Sequence, residues 1–514
     1  MNGADVILQT LARSGVDVVF TNPGTSEMQL VAALDDVTQM RPVLGLFEGV
    51  CTGAADGYSR VTGKTASTLL HLGPGLANGL ANVHNAKKAG SSVVNIIGDH
   101  ATYHLHLDAP LTSDIAAVAA PMSHHVESLQ TPDDIASGAA AAFTAASAHG
   151  GQVSTLIVPA DLAWSQATIE SVTAQSGVQT QADGDLASAV EALRASPKKT
   201  MLYLGKEAQR DDVIALAGQI QAVTGCRIAA PTFNACLPRG QGRAVLEGTP
   251  YFAELAVEFF AGVETIVLIG AKAPVAFFAY PDKPSVLSPD GCELIALAKP
   301  GEACLVITEA LAQEVGAKAA KVKTPNAQDI AAPHGDIKPD TFAAALARHI
   351  PDGAIIADEA ISFSMNLPGM TEGSKAHRWM GCTGGAIGQG LSVAIGAAIG
   401  APGAKVIAPT GDGSAMYTIQ ALWTMAREAL DVVVIIINNQ AYNILQYEMY
   451  RTGANAISPR AQTMLGLDNP QLDFCSMAKG MGVPGHRVTT AQDLDEALAR
   501  AMAQAGPVLI EAMV

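Results

Sequence analysis

Gly411-Asp412-Gly413-Ser414 lies between Lys405-Val406-Ile407-Ala408-Pro409-Thr410 and a run from Ala415 to Leu430, and the chain then continues as Asp431-Val432-Val433-Val434-Ile435-Ile436-Ile437-Asn438-Asn439. The first flank reads as a short buried strand, and Ala415 to Leu430 carries apolar residues at roughly helical spacing. A strand, a glycine turn and a helix in that order present backbone N–H groups and a positive helix end to a phosphate. The second apolar run is almost purely β-branched, which predicts a parallel strand buried on both faces. Asp412 and Asn439 are then expected at the carboxyl ends of neighbouring parallel strands, where open α/β sheets bind ligands.

A carboxylate, an amide oxygen and a loop carbonyl around a diphosphate make an oxygen-only shell suited to Mg²⁺. A Gly-Asp-Gly turn alone is commonplace, and a chance Asn-Asn after a strand would mean little. Here the turn, both strands and the terminal amides agree. The set resembles the diphosphate and magnesium motif of the thiamine-diphosphate enzymes. That resemblance implies cofactor binding by Gly411, Asp412, Gly413, Ser414, Asn439, Ala441 and Tyr442, with Asp412, Asn439 and the main-chain carbonyl of Ala441 as metal ligands.

The 514 residues are too many for one hydrophobic core and predict several domains. With 49% apolar and 15% charged residues the chain reads as folded throughout. A net charge of −17 argues against a nucleic-acid or anionic-membrane partner. Seven scattered cysteines without a C-x-x-C predict neither disulfides nor zinc. No basic, apolar leader or long apolar run occurs, so a cytoplasmic protein is expected.

Strand-like and helix-like stretches alternate throughout, which predicts an α/β protein of three doubly wound parallel-sheet domains. Residues 1–165 form the first, 185–322 the second and 338–514 the third, with polar linkers near 166–184 and 322–337.

In the first domain, Leu46-Phe47-Glu48-Gly49-Val50 places Glu48 at a strand-to-helix junction with little water around it. A carboxyl there could share a proton with a heterocyclic nitrogen, although a glutamate at a helix start is often only a dipole partner. The following Ala54-Ala55-Asp56-Gly57-Tyr58-Ser59-Arg60 strengthens the first reading. Glu48 with this A-x-G-Y-x-R resembles the segment of thiamine-diphosphate decarboxylases and acetolactate synthases that donates the cofactor-activating glutamate. The same resemblance puts Ile387, in Cys382-Thr383-Gly384-Gly385-Ala386-Ile387-Gly388, beneath the two cofactor rings and turns the Gly385 carbonyl toward the amino group. It also implies that Glu48 and the diphosphate motif of one site come from different subunits, so that a homodimer or homotetramer is expected.

Along essentially the whole chain the resemblance is closest to the benzoylformate decarboxylases. Phe20-Thr21-Asn22-Pro23-Gly24-Thr25-Ser26-Glu27 is similar to their F-G-N-P-G-S-N-E loop, with Thr25 in place of an active-site serine. His71, in Leu70-His71-Leu72, stands where they carry a catalytic histidine, and Leu445 matches a leucine of theirs. Thr25, His71 and Glu48 are the catalytic candidates. The expected substrate pocket comprises Thr25, His71, His100, Phe277, Phe278, Ile444 and Leu445.

Two departures stand out. The middle-domain stretch Pro274-Val275-Ala276-Phe277-Phe278-Ala279-Tyr280 lacks the second histidine of that family. Conversely Asp99-His100-Ala101-Thr102-Tyr103-His104-Leu105-His106 is unusually rich in histidine, either as polar loop residues at the entrance or as a replacement proton donor. The leading expectation is non-oxidative decarboxylation of a small-molecule 2-oxo acid of unspecified side chain, with or without carboligation, with thiamine diphosphate and Mg²⁺ as cofactors. Carboligation of acetolactate-synthase type is the runner-up, and a non-catalytic diphosphate-binding protein is the alternative from another class.

Overall fold

The computed structural model describes residues 1–167, 177, 179–365, 367–453 and 458–514. Most of the expected 166–184 linker lies outside the described residues. Three sheets organise the rest. The first runs Arg41–Leu44, Val18–Asn22, Ala66–Leu70, Val93–Asp99, Val153–Pro159 and His125–Ser128, all parallel. Its outermost strand, His125-Val126-Glu127-Ser128, carries one aliphatic residue in four, and the apolar signal that marks the inner strands is absent there.

The second sheet orders Glu247–Gly248, Arg227–Ala230, Thr200–Leu204, Thr265–Ile269 and Glu293–Ala298 in parallel. The third places Gly485–Val488, Val508–Met513, Val432–Asn438, Val406–Gly411, Ala354–Ala357 and His377–Met380 side by side and parallel. Leu237–Arg239, from the stretch between the second sheet's strands Arg227–Ala230 and Glu247–Gly248, closes its edge antiparallel to His377–Met380. All seven residues of Val432–Asn438 are buried, as a β-branched strand covered on both faces requires.

The first and third units meet through the helices Glu48–Thr62 and Gly390–Gly400. Small residues set their distance: a methyl group on Gly396 would sit 1.8 Å from the Ala54 carbonyl oxygen, and one on Gly57 2.1 Å from that of Val393. Arg60 fixes the register. Its guanidinium pairs with Asp56 at 2.5 Å, both side chains being fully buried, and also donates to the Gly381 carbonyl and to Thr383 Oγ1, each at 2.9 Å. Loss of one partner of such a pair leaves an uncompensated buried charge, costing about 3–5 kcal/mol. The second unit reaches the first through Lys206, whose Nζ donates to the carbonyls of Gly90 and Gly150.

Candidate active site

Strand register brings the diphosphate-type motif together. Gly411 pairs with Ile437, so the turn that begins at Gly411 and the loop that follows Asn438 leave the sheet side by side. The Gly413 N–H donates to Asp412 Oδ1 at 2.8 Å, while Oδ2 is buried and, among the described residues, has no hydrogen-bond partner. Burial pushes the Asp412 carboxyl above the usual range, against the pull of nearby N–H groups of Gly413 and of the 439–441 loop. Asn439 Oδ1 accepts from the Ala441 N–H at 3.0 Å, and Gln440 takes φ +58 to make that return. A Cβ on Gly413 would lie 2.3 Å from the Tyr442 ring, so only glycine fits beneath that tyrosine.

A buried carboxylate oxygen without a partner, next to an amide side chain and a loop of main-chain groups, fits a hard cation and the diphosphate it would bridge. The helix expected over Ala415 to Leu430 is broken. It forms as Asp412–Ala415 and Ala421–Arg427, with turns between. Thr418 Oγ1 donates to the Gly388 carbonyl at 2.9 Å, and the Tyr417 side chain packs against Gly388. These tertiary contacts draw residues 416–420 out of helical phase.

Glu48 begins its helix and is buried; Asn78 Nδ2 donates to its Oε2 at 3.0 Å. Gly75 is the meeting point. A Cβ there would lie 3.3 Å from Glu48 Oε1 and 3.4 Å from His71 Cβ, so both residues flank the same backbone atom. His71 follows the strand Ala66–Leu70, and its Nδ1 lies 2.8 Å from Glu27 Oε2. Thr25 opens the short turn Thr25–Glu27 and is exposed; the preceding Gly24 lies directly against the His71 ring.

The 382–388 loop is held by first-domain side chains, with Asn85 Nδ2 donating to Ala386 O (2.8 Å) and Asn82 Nδ2 to Gly388 O (3.3 Å). His84 Nε2 stands 3.1 Å from Gly384 O. Gly385 takes φ +73 and is exposed, Ile387 is half-buried, and the Phe277 ring comes within 2.7 Å of where a Gly385 Cβ would be. Phe277 in turn packs edgewise on Phe278 and Phe233 and at a tilt on Tyr251, forming an aromatic wall beside that loop. Ile444 and Leu445 lie on the helix Asn443–Arg451, where Leu445 is exposed. That helix is tied to the same wall: Tyr280 donates to Glu448 at 2.8 Å, and Arg451 stacks on Tyr280 and Phe252.

His100 continues the strand Val93–Asp99, which neighbours the strand before His71. Its N–H donates to Asp99 Oδ1, its Nε2 is buried without a partner among the described residues, and its ring stands 5.5 Å from that of His104. His106 is exposed in the following turn. Among the described residues no hydrogen bond links Glu48 with the 411–414 turn of the same chain.

One buried acid escaped sequence reasoning. Glu359, just past the strand Ala354–Ala357, accepts the N–H groups of Gly388, Gln389 and Gly390 at 2.9–3.1 Å, and its own carbonyl accepts from the Gly411 N–H. It thereby couples the glycine-rich loop to the diphosphate-type turn. Its position at a parallel strand's carboxyl end was the available signal. Burial raises its carboxyl from 4.5 to about 7, against those three N–H groups. The folded chain then holds this proton more tightly than the unfolded chain between those values, so the stability it contributes is complete below pH 4.5 and lost as pH rises to about 7. Thermal midpoints followed across this window are expected to fall with rising pH, and less steeply in Glu359→Gln.

The comparisons with known proteins match this arrangement. Residues 1–150 match the family model "Thiamine pyrophosphate enzyme, N-terminal TPP binding domain", and residues 363–512 match "Thiamine pyrophosphate enzyme, C-terminal TPP binding domain". The chain is 46% identical over its whole length, and 99% of the relative's, to the Mycobacterium tuberculosis protein described as "Putative acetolactate synthase large subunit IlvX". It is 30% identical to the benzoylformate decarboxylase of Pseudomonas aeruginosa, across 98% of this chain and 97% of that one. In fold it superposes on the 4-hydroxybenzoylformate decarboxylase of Rhodococcus jostii RHA1 with a TM-score of 0.85 at 24% identity, covering 100% of this chain and 99% of the other. The benzoylformate decarboxylase of Polynucleobacter necessarius gives a TM-score of 0.81 at 20% identity with the same coverage. From these matches and this geometry, the chain belongs to the thiamine pyrophosphate enzyme family.

Proposed function

We propose that this enzyme decarboxylates a 2-oxo acid bearing a bulky apolar or aromatic substituent, with Mg²⁺ anchoring the cofactor. Bound thiamine diphosphate supplies the electron sink into which the substrate's carboxylate electrons pass. Asp412, Asn439 and the Ala441 carbonyl would hold the metal, and the N–H groups of the 411–414 turn together with Tyr442 would hold the diphosphate. With the cofactor bound, Glu48 would share a proton with its pyrimidine ring, and Ile387 and the Gly385 carbonyl of the 382–388 loop would contact the rings. His71 orients the substrate carboxylate and then delivers a proton to the product, assisted by Thr25; His100 is a second donor for the role left open in the middle domain. Residues 1–165 and 338–514 of different chains share each site in a homodimer or homotetramer, and 185–322 carries part of the pocket wall.

The observation that carries this reading is the placing of Glu48 and His71 against the same glycine, Gly75. The aromatic wall at Phe277 supports the substrate class. A second reading, ligation of two pyruvate-sized acids, is favoured by the 46% identity to the mycobacterial relative. CO₂ release together with identification of the products, across a panel of 2-oxo acids with thiamine diphosphate and Mg²⁺ added, separates the two. Fastest turnover of aryl or long-chain acids to aldehydes is expected. Preferred turnover of pyruvate to acetolactate would replace the decarboxylase reading by the second.

A further inference from the structure

We propose that Glu27 is a positioning residue that fixes the tautomer and the aim of the His71 ring; this rests on His71 acting in turnover. The restraint comes from several sides. Glu27 is fully buried; its Oε2 stands 2.8 Å from His71 Nδ1 and accepts the Gly24 N–H at 2.8 Å. Its Oε1 is buried with no partner among the described residues, and it faces the backbone at Gly98, where a Cβ would come within 1.8 Å. The carboxylate therefore has no room to turn away from the imidazole. On the other side of the ring a Cβ on Gly24 would lie 2.2 Å from His71 Cγ, so the same loop that presents Thr25 also walls the histidine.

The backbone adds a third restraint. Leu72, fully buried directly after His71, takes φ +50, a left-handed conformation that disfavours any residue but glycine. Such strain persists where surrounding contacts over-determine the geometry. An imidazole whose Nδ1–H is committed to a carboxylate presents Nε2 as the nitrogen that meets substrate. With glutamine in place of Glu27, the amide can meet either ring nitrogen form equally well, and the tautomer is no longer dictated.

The test is a double-mutant cycle in the cofactor-loaded enzyme on the best 2-oxo acid of the panel. Glu27→Gln is expected to lower kcat about 10–100-fold, the range seen when a group orienting an active-site histidine is lost, with KM and thiamine-diphosphate affinity changed no more than a few-fold. Glu27→Asp should recover part of the loss. In a His71→Ala background Glu27→Gln should have no further effect on kcat, because nothing is left to orient. An equal loss in both backgrounds, or wild-type kcat in Glu27→Gln beside a slow His71→Ala, would overturn the positioning role alone. Wild-type kcat in His71→Ala would overturn the reading of His71 and the proposal with it.

Discussion

Glu48→Gln is expected to slow turnover by about 10²–10⁴-fold, the span a positioned acid or base contributes, with little change in thermal midpoint. The substitution is nearly isosteric. Glu48 has one described side-chain partner, Asn78 Nδ2 at 3.0 Å, and a glutamine carbonyl can accept the same bond. What the amide lacks is a proton to exchange with a ring nitrogen, so the deficit should fall on kcat. Cofactor affinity, which rests chiefly on the 411–414 and 439–442 segments, should stay within about an order of magnitude. Steady-state kinetics and cofactor titration of the purified variant check both parts. Unchanged turnover would leave Glu48 as no more than the first residue of its helix.

The second large effect is expected at Asp412. In wild type, thiamine diphosphate with Mg²⁺ at about 1,000 times its dissociation constant should stabilise the fold by about 4 kcal/mol, read as an upward shift of the melting curve. Asp412→Asn should abolish that shift, and a chelator should abolish it in wild type. The sign for the cofactor-free protein is the opposite. Asp412 Oδ2 is a buried acceptor without a partner, and burial already resists its ionisation. A neutral amide removes that desolvation cost, so the variant should melt at or slightly above wild type when no ligand is present. Differential scanning fluorimetry of both proteins with and without ligand, and of wild type with chelator, resolves both.

The sequence made the parallel pair around Gly411 and Ile437 legible because a β-branched run and a glycine turn are local signals that agree. Glu48 was legible for the same reason: a buried helix start beside a family-like segment. Other features depend on partners far along the chain. Glu359 is defined by N–H groups 29–31 residues away, and Glu27 by a histidine 44 residues on. The break at 416–420 follows from Gly388, and the edge pairing of Leu237–Arg239 comes from another unit of the chain. Periodicity reports what a segment buries, and these residues are set by which neighbour they meet. The 382–388 loop shows both sides: its glycines were visible, but its anchoring by Asn82, His84 and Asn85 was not.

The account turns on one cofactor being shared by Glu48 of one chain and the Asp412 motif of another. Co-expression of differently tagged Glu48→Gln and Asp412→Ala chains, followed by isolation of the mixed oligomer, tests this most directly. In a symmetric mixed dimer one site in two would then carry both original side chains, so activity of about half the wild-type value per oligomer is predicted from two variants that are each nearly inactive alone. A mixed oligomer as inactive as its parents would place Glu48 and Asp412 of each site in the same chain and contradict the account.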